Sequence, residues 1–292
     1  MSKKNNNTKT VVFIDSGIGG LPYCVDFHKK NPDEEVCYIA DTKNFPYGPR
    51  AKDELAAILT ALTEKLLITV NPKIIVLACN TATIAALPLL RTRFPQIPFV
   101  GTVPALKPAA KISNKRKIGV LGTKRTIEEI HSLHLIDETC EIIGVAAPEL
   151  VEFVERQFYK ADKSSKQKIV KKYVDIFRRE GVDSLVLGCT HFLFLLDEFH
   201  EEALNPGFGL NIEVFDSLEG ITKRIEYLLD ENDGLLRRDK NRPAEHRLLL
   251  TSEGFTSETF TGETFTCESQ DSFWRERANT LGFKLGLLNE YE

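Results

Sequence analysis

Val76-Leu77-Ala78-Cys79-Asn80-Thr81 and Val186-Leu187-Gly188-Cys189-Thr190-His191 are two versions of one pattern. In each, an apolar run of the kind that forms a buried strand ends at a cysteine, and hydrogen-bonding residues follow. A helical stretch precedes each run. Residues 51–70 carry Leu55, Ile58, Leu59, Leu62 and Leu66 at helical spacing and stop at Asn71-Pro72; residues 166–180 form an amphipathic helix that stops at Gly181. Further upstream, Phe13-Ile14-Asp15-Ser16-Gly17 has a rough counterpart in Val120-Leu121-Gly122-Thr123-Lys124. The chain thus contains a weak internal repeat of β-α-β units, each with its cysteine at the carboxyl end of a strand. Ligands of open α/β sheets bind outside those ends, so two facing halves would put one cysteine on each side of a shared cleft.

The surrounding sequence fits this frame. Further strands are expected at residues 11–14, 36–40, 99–101, 118–121 and 184–187, with a helix at 126–134. The alternation argues for an α/β fold with largely parallel sheets. The end of the chain is less regular. Residues 230–245 read as a polar loop, 248–251 as an edge strand and 273–281 as a closing helix, while 251–270 have no assignable pattern.

The 292 residues are 42% hydrophobic and 27% charged with a net charge of −4. That balance describes a globular chain and gives no reason to expect nucleic acid or an anionic membrane as partner. Residues 1–10 are polar and lack the apolar core of a signal peptide. The longest apolar run, residues 74–90, is broken by Asn80, Thr81, Thr83 and Pro88, so no segment reads as membrane-spanning. A cytoplasmic location is expected. The six cysteines should then be mostly reduced, and none forms the C-x-x-C pair of a structural zinc site.

Either cysteine alone would read as a small core residue. Three shared features change that: the apolar runs before them, the polar residues after them, and the helix starts whose N–H groups and dipole lower a thiol pKa. Asp15-Ser16-Gly17-Ile18-Gly19-Gly20 is a glycine-rich turn. Its third dinucleotide glycine falls on Pro22, so that fingerprint fails. It reads as an anion-binding nest of N–H groups or as a plain tight turn. Asp15 is a carboxylate partner for a thiol or a helix cap. Phe45-Pro46-Tyr47-Gly48-Pro49-Arg50 is a site loop or a surface turn. Thr123 and Thr126, flanking Lys124-Arg125, bind a carboxylate or cap a helix, with capping favoured by spacing. His191 is a proton shuttle, a metal ligand or a structural histidine whose weight comes from Cys189.

Taken in order, Asp15-Ser16-Gly17-Ile18-Gly19-Gly20-Leu21, Pro46-Tyr47-Gly48, Ala78-Cys79-Asn80-Thr81-Ala82 and Gly188-Cys189-Thr190-His191 resemble the motif set of the glutamate racemase family. The resemblance spans about residues 11–224. It implies two similar, pseudo-twofold-related α/β domains with the active site between them: residues 1–101 plus 213–292, and residues 102–212. It implies that Cys79 deprotonates D-glutamate with Asp15 assisting, and that Cys189 deprotonates L-glutamate with His191 assisting. Ser16, Pro46, Tyr47, Gly48, Asn80, Thr81, Thr123 and Thr190 would line the substrate pocket, and Glu155 would act on the His191 side. The D-product would supply peptidoglycan synthesis. The partner is glutamate; a homodimer and a cell-wall precursor as activator are compatible with the family. Two departures stand out. Leu193 replaces a frequent proline, and Gly101-Thr102-Val103-Pro104 lacks a glutamate that many members carry. Rival readings are a sister enzyme acting on aspartate, hydantoin or maleate, a non-catalytic binder of acidic amino acids, and a thiol/histidine metal site.

No pyridoxal phosphate or metal is expected, because no lysine sits in a phosphate-cradling pattern. Protein dialysed against chelator should keep its turnover of glutamate and show no visible absorbance. Recovery of lost activity by a metal or by pyridoxal phosphate would overturn this expectation.

Overall fold

The computed structural model describes residues 9–130, 139–204, 211–231, 244–252 and 267–291. Its described strands form two sheets, and every pairing within them is parallel. Strands β1 (Thr10–Asp15), β2 (Val36–Ala40), β3 (Pro72–Leu77) and β4 (Phe99–Gly101) lie in the order β2-β1-β3-β4. Strands β5 (Lys117–Gly122), β6 (Glu141–Ala146), β7 (Ser184–Gly188) and β8 (Glu213–Phe215) lie in the order β6-β5-β7-β8. The repeat read from two cysteine motifs is thus a repeat of topology: second, first, third, fourth. Residue 213, where the sequence division returned the chain to the first domain, begins β8, which pairs with β7 of the second sheet.

The first sheet is extended by two late strands. β9 (Arg247–Leu250) pairs with β2, and β10 (Lys284–Leu287) pairs with β9. The expectation of an edge strand at 248–251 is therefore corrected: β9 lies inside the sheet and β10 forms its edge. The run Leu248-Leu249-Leu250 is consistent with that, since a strand covered on both faces needs no polar alternation.

Local chemistry accounts for the helices. Helix α1 (Leu21–Lys30) follows the glycine turn, with Pro22 in its first turn. Helix α2 (Lys52–Thr69) buries Leu55, Leu59, Leu62 and Leu66, as its spacing predicts. It ends before Asn71, which takes a positive φ of 56° and so turns the chain into β3. Helix α3 (Asn80–Arg93) follows Cys79 directly. Helix α4 (Leu106–Ile112) precedes β5 and α5 (Lys124–Glu129) follows it; residues 131–134 of the predicted helix lie outside the described residues. Helix α6 (Pro148–Arg156) follows β6. Helix α7 (Lys163–Arg179) starts earlier than its apolar spacing indicates, because Asp162 caps it by accepting from the Ser165 N–H at 2.8 Å. Helices α8 (Leu196–Ala203) and α9 (Leu218–Asp230) flank β8, and α10 (Cys267–Leu281) precedes β10. Most of the stretches at 230–245 and 251–270 lie outside the described residues. Among the described residues no helix is long and apolar enough to cross a membrane.

The two halves share a core. One cluster runs from Val11, Phe13 and Tyr38 of the first sheet to Leu187, Cys189 and Phe192 of the second. At the amino ends of the first sheet, Lys73 forms a buried ion pair with Glu34. Removing one member of such a pair takes the opposing charge away from a group held in low dielectric. Lys73→Met should lower unfolding stability by about 3 kcal/mol in denaturant titration. Adding Glu34→Leu should recover most of that loss; a double variant as unstable as the single one would refute the account.

Candidate active site

The carboxyl ends of the central strands meet between the halves. β1 ends at Asp15 and its neighbour β3 leads into Cys79; β5 leads into Thr123 and its neighbour β7 into Cys189. Each pair sits where strand order reverses, the crevice in which open α/β sheets bind ligands. Cys79 is the N-cap of α3, and Cys189 the N-cap of a 3-10 turn, Thr190–Leu195. Both thiols are buried to within a few per cent.

These residues border one cavity of about 390 Å³. All twelve site residues named from the sequence line it: Asp15, Ser16, Pro46, Tyr47, Gly48, Cys79, Asn80, Thr81, Thr123, Cys189, Thr190 and His191. Hydrogen bonds cross between the halves at its rim. The Asn80 amide donates to the Gly188 carbonyl at 2.6 Å, and the Thr81 and Thr123 hydroxyls meet at 3.3 Å. Asn80 Oδ1 is buried without a partner among the described residues. Thr123 also accepts from the Thr126 N–H at 3.2 Å, so it caps α5 and faces the cavity at once. The loop carrying Pro46-Tyr47-Gly48 is no surface turn. Tyr47 is 1% exposed and its hydroxyl donates to Asp41 at 2.7 Å, while Asp41 also accepts from Asn44 and Thr251.

The glycine turn does hold an anion, and the anion is the chain's own. Glu155, on α6, accepts the Ile18 N–H at 3.1 Å. The same oxygen lies 2.6 Å from His191 Nε2, and His191 Nδ1 lies 3.7 Å from Cys189 Sγ. A side chain at Gly17 would overlap Glu155, and one at Gly19 would overlap the His191 ring. These glycines serve close approach of the opposite half rather than a special backbone angle.

The electrostatics differ from the sequence expectation at one point. Helix N–H groups do lower Cys79, but burial outweighs them and the charge of Asp15 adds to it, so the thiol is pushed well up and rests protonated. Burial opposes charge on His191, yet hydrogen bonds and charges from Cys189 and Glu155 outweigh it and raise the imidazole well above its usual range. Asp15 is raised to about 6, first by burial, with Glu155 adding and His191 and the Ser16 N–H opposing. Asp15 Oδ1 accepts the Ser16 N–H at 2.6 Å, and the Gly20 N–H also favours the charged carboxylate. Among the described residues no group of three or more His, Cys, Asp or Glu is placed to hold a metal ion.

Six lining residues escaped the sequence reading as site residues, Lys124, Arg125, Glu128, Glu129, Pro148 and Val151, while Phe45 and Pro49 lie in the loop it offered as part of a site. Lys124 and Arg125 stood between two noticed threonines. Pro148 and Val151 belong to α6, whose preceding strand β6 has no apolar alternation to reveal it.

Comparison with known proteins places these features. A family model described as Asp/Glu/hydantoin racemase matches residues 27–223. A glutamate racemase from Clostridium acetobutylicum is 33% identical over 266 residues, covering 85% of this chain and 99% of that one. The Escherichia coli glutamate racemase, solved with L-glutamate and the activator UDP-MurNAc-Ala, superposes with a TM-score of 0.76 at 27% identity, covering 96% and 97% of the two chains. A glutamate racemase isoform from Bacillus anthracis gives 0.73 at 27% identity, covering 96% of each chain.

The Asp15 shift has a measurable consequence. In the unfolded chain an aspartate titrates near 3.9. Between about pH 4 and pH 6 the folded state keeps a proton that the unfolded state has released, so stability falls as pH rises through that window. Above it the full cost is about 3 kcal/mol. Asp15→Asn should therefore raise Tm relative to wild type at pH 7 and much less at pH 4. An offset in Tm equal at both pH values would overturn the assignment.

Proposed function

The chain belongs to the Asp/Glu/hydantoin racemase family, and on that premise we propose that it interconverts L- and D-glutamate with Cys79 and Cys189 as opposed acid and base. The observation that carries the reading is the entry of two thiols into one cavity from equivalent strand ends of two halves with the same strand order. The glutamate racemases matched along most of the chain support the substrate.

The α-proton of an amino acid is a very weak acid, so the developing carbanion must be met by fixed donors in a closed site. The hydroxyls of Ser16, Thr81, Thr123 and Thr190 supply donors for carboxylate. Asn80 Oδ1, buried and without a partner among the described residues, supplies an acceptor for the ammonium. Pro46, Tyr47 and Gly48 close the wall. In the L-to-D direction Cys189 acts as thiolate and removes the proton, with the charged His191 beside it. Cys79, which rests protonated, delivers a proton to the opposite face. Asp15 then assists Cys79 in the reverse direction, and Glu155 holds His191 in place. No step calls on a cofactor.

The same reading places the enzyme in a reducing compartment, the cytoplasm, since a disulfide at either cysteine would end the chemistry. D-glutamate made there would serve cell-wall peptidoglycan. The UDP-MurNAc-Ala activator of the Escherichia coli relative supports testing a cell-wall precursor as activator here.

Circular dichroism of L-glutamate incubated with the protein, beside aspartate as control, tests the reaction itself. The mechanism is tested in heavy water. Cys79→Ala leaves a base for L-glutamate but no acid on the far face. It should exchange the α-hydrogen of L-glutamate with retention and form little D-glutamate. Cys189→Ala should do the same with D-glutamate only. Racemisation near the wild-type rate by either single variant would sink the two-base assignment.

A further inference from the structure

Three cationic side chains line the cavity, and two are already engaged. His191 is held between Cys189 and Glu155. Lys124 is 85% exposed and faces Glu128 at 3.8 Å. Arg125 is different. Its side chain is only 16% exposed, although it sits on a short surface helix. One terminal nitrogen donates to the carbonyl of Arg50, across the gap between the halves. The other makes a long contact with Glu129, at 3.4 Å. Its Nε–H is buried and has no acceptor among the described residues.

A buried N–H without an acceptor is costly, and such a group in a cavity wall marks a place that a ligand or water fills. Guanidinium is the side chain whose fork best matches a carboxylate. The wall also carries Asp15, Glu128 and Glu129, which repel a second carboxylate on the substrate. A second substrate carboxylate therefore needs a cation held in place. The bond to Arg50 holds the Arg125 guanidinium beside the loop of Pro46, Tyr47 and Gly48.

We infer that Arg125 reads the side-chain carboxylate of the substrate and so separates glutamate from amino acids with a neutral side chain. The inference rests on the proposed substrate and extends it to a specificity-determining residue. A purely structural role, as a tie between α5 and the loop ending at Arg50, would affect every ligand alike.

The experiment compares L-glutamate with L-glutamine by calorimetric binding and by steady-state kinetics. It uses wild type, Arg125→Gln and Arg125→Lys, with thermal melts to check folding. Loss of a charge-assisted contact should weaken glutamate about tenfold to a hundredfold in Arg125→Gln, mostly in Kd and KM, with kcat nearly unchanged. Glutamine binding should change little. Arg125→Lys should recover part of the loss, since it keeps the charge without the fork. Equal weakening of both ligands, or unchanged glutamate affinity, would overturn the inference. If wild type binds glutamate without racemising it, the proposed reaction fails and the binding comparison still decides on Arg125. If wild type binds neither ligand, both fall.

Discussion

A single carboxylate oxygen, Oε1 of Glu155, is shared between the His191 imidazole of its own half and the Ile18 N–H of the other. The rest of the site depends on this contact. It fixes the imidazole ring, which in turn stands against Cys189. It also draws α6 onto the turn after β1, which is possible only because Gly17 and Gly19 present bare backbone. Asp15 lies at the base of the same turn, and the charges of Glu155, His191 and Asp15 act on one another. In so dry a space the protonation of Asp15 and of His191 depends on the charges beside them, and Asp15 in turn raises Cys79. The asymmetry between the cysteines follows: one has a carboxylate nearby, the other an imidazolium.

The two halves therefore contribute unlike chemistry on like scaffolds. Each has the strand order second, first, third, fourth, and each presents its cysteine beside its first strand. Where the first half has Asp15 at the end of that strand, the second has Thr123. Where the first follows its cysteine with a full helix, the second has a 3-10 turn carrying His191. Backbone symmetry sets up two faces, and the residues at strand ends make them different.

Much of this was legible in the residues. Cys79 and Cys189 could be found because a fully buried parallel strand leaves a continuous apolar run, and a cysteine followed by polar residues marks where it stops. The 3.6-residue spacing of Leu55, Leu59, Leu62 and Leu66 marked α2 for the same kind of reason. Three things were not legible. Strand β6 mixes exposed residues such as Glu141 and Gly144 with half-buried ones and buries none fully, so its sequence lacks contrast, and α6 beyond it lost its anchor. The position of β9 within the sheet depends on β10, which lies more than thirty positions away and reads as Lys-Leu-Gly-Leu. The ionisation of Cys79 was misjudged because helix N–H groups are visible in sequence, whereas the desolvation that outweighs them is a property of the assembled cavity.

The addition of β9 and β10 beside β2 bears on how the chain is made. Strands β1 to β4 emerge first from the ribosome, yet the outer edge of β2 has no partner until residues 247–250 appear. For most of synthesis the amino-terminal half carries an open, apolar hydrogen-bonding edge, Val36-Cys37-Tyr38-Ile39-Ala40, of the kind that recruits other strands. The second half, with all four of its strands contiguous in sequence, closes its own sheet while the first still waits. The half whose strands start second is thus the first able to finish, and the first sheet is complete only when β9 and β10 join β2.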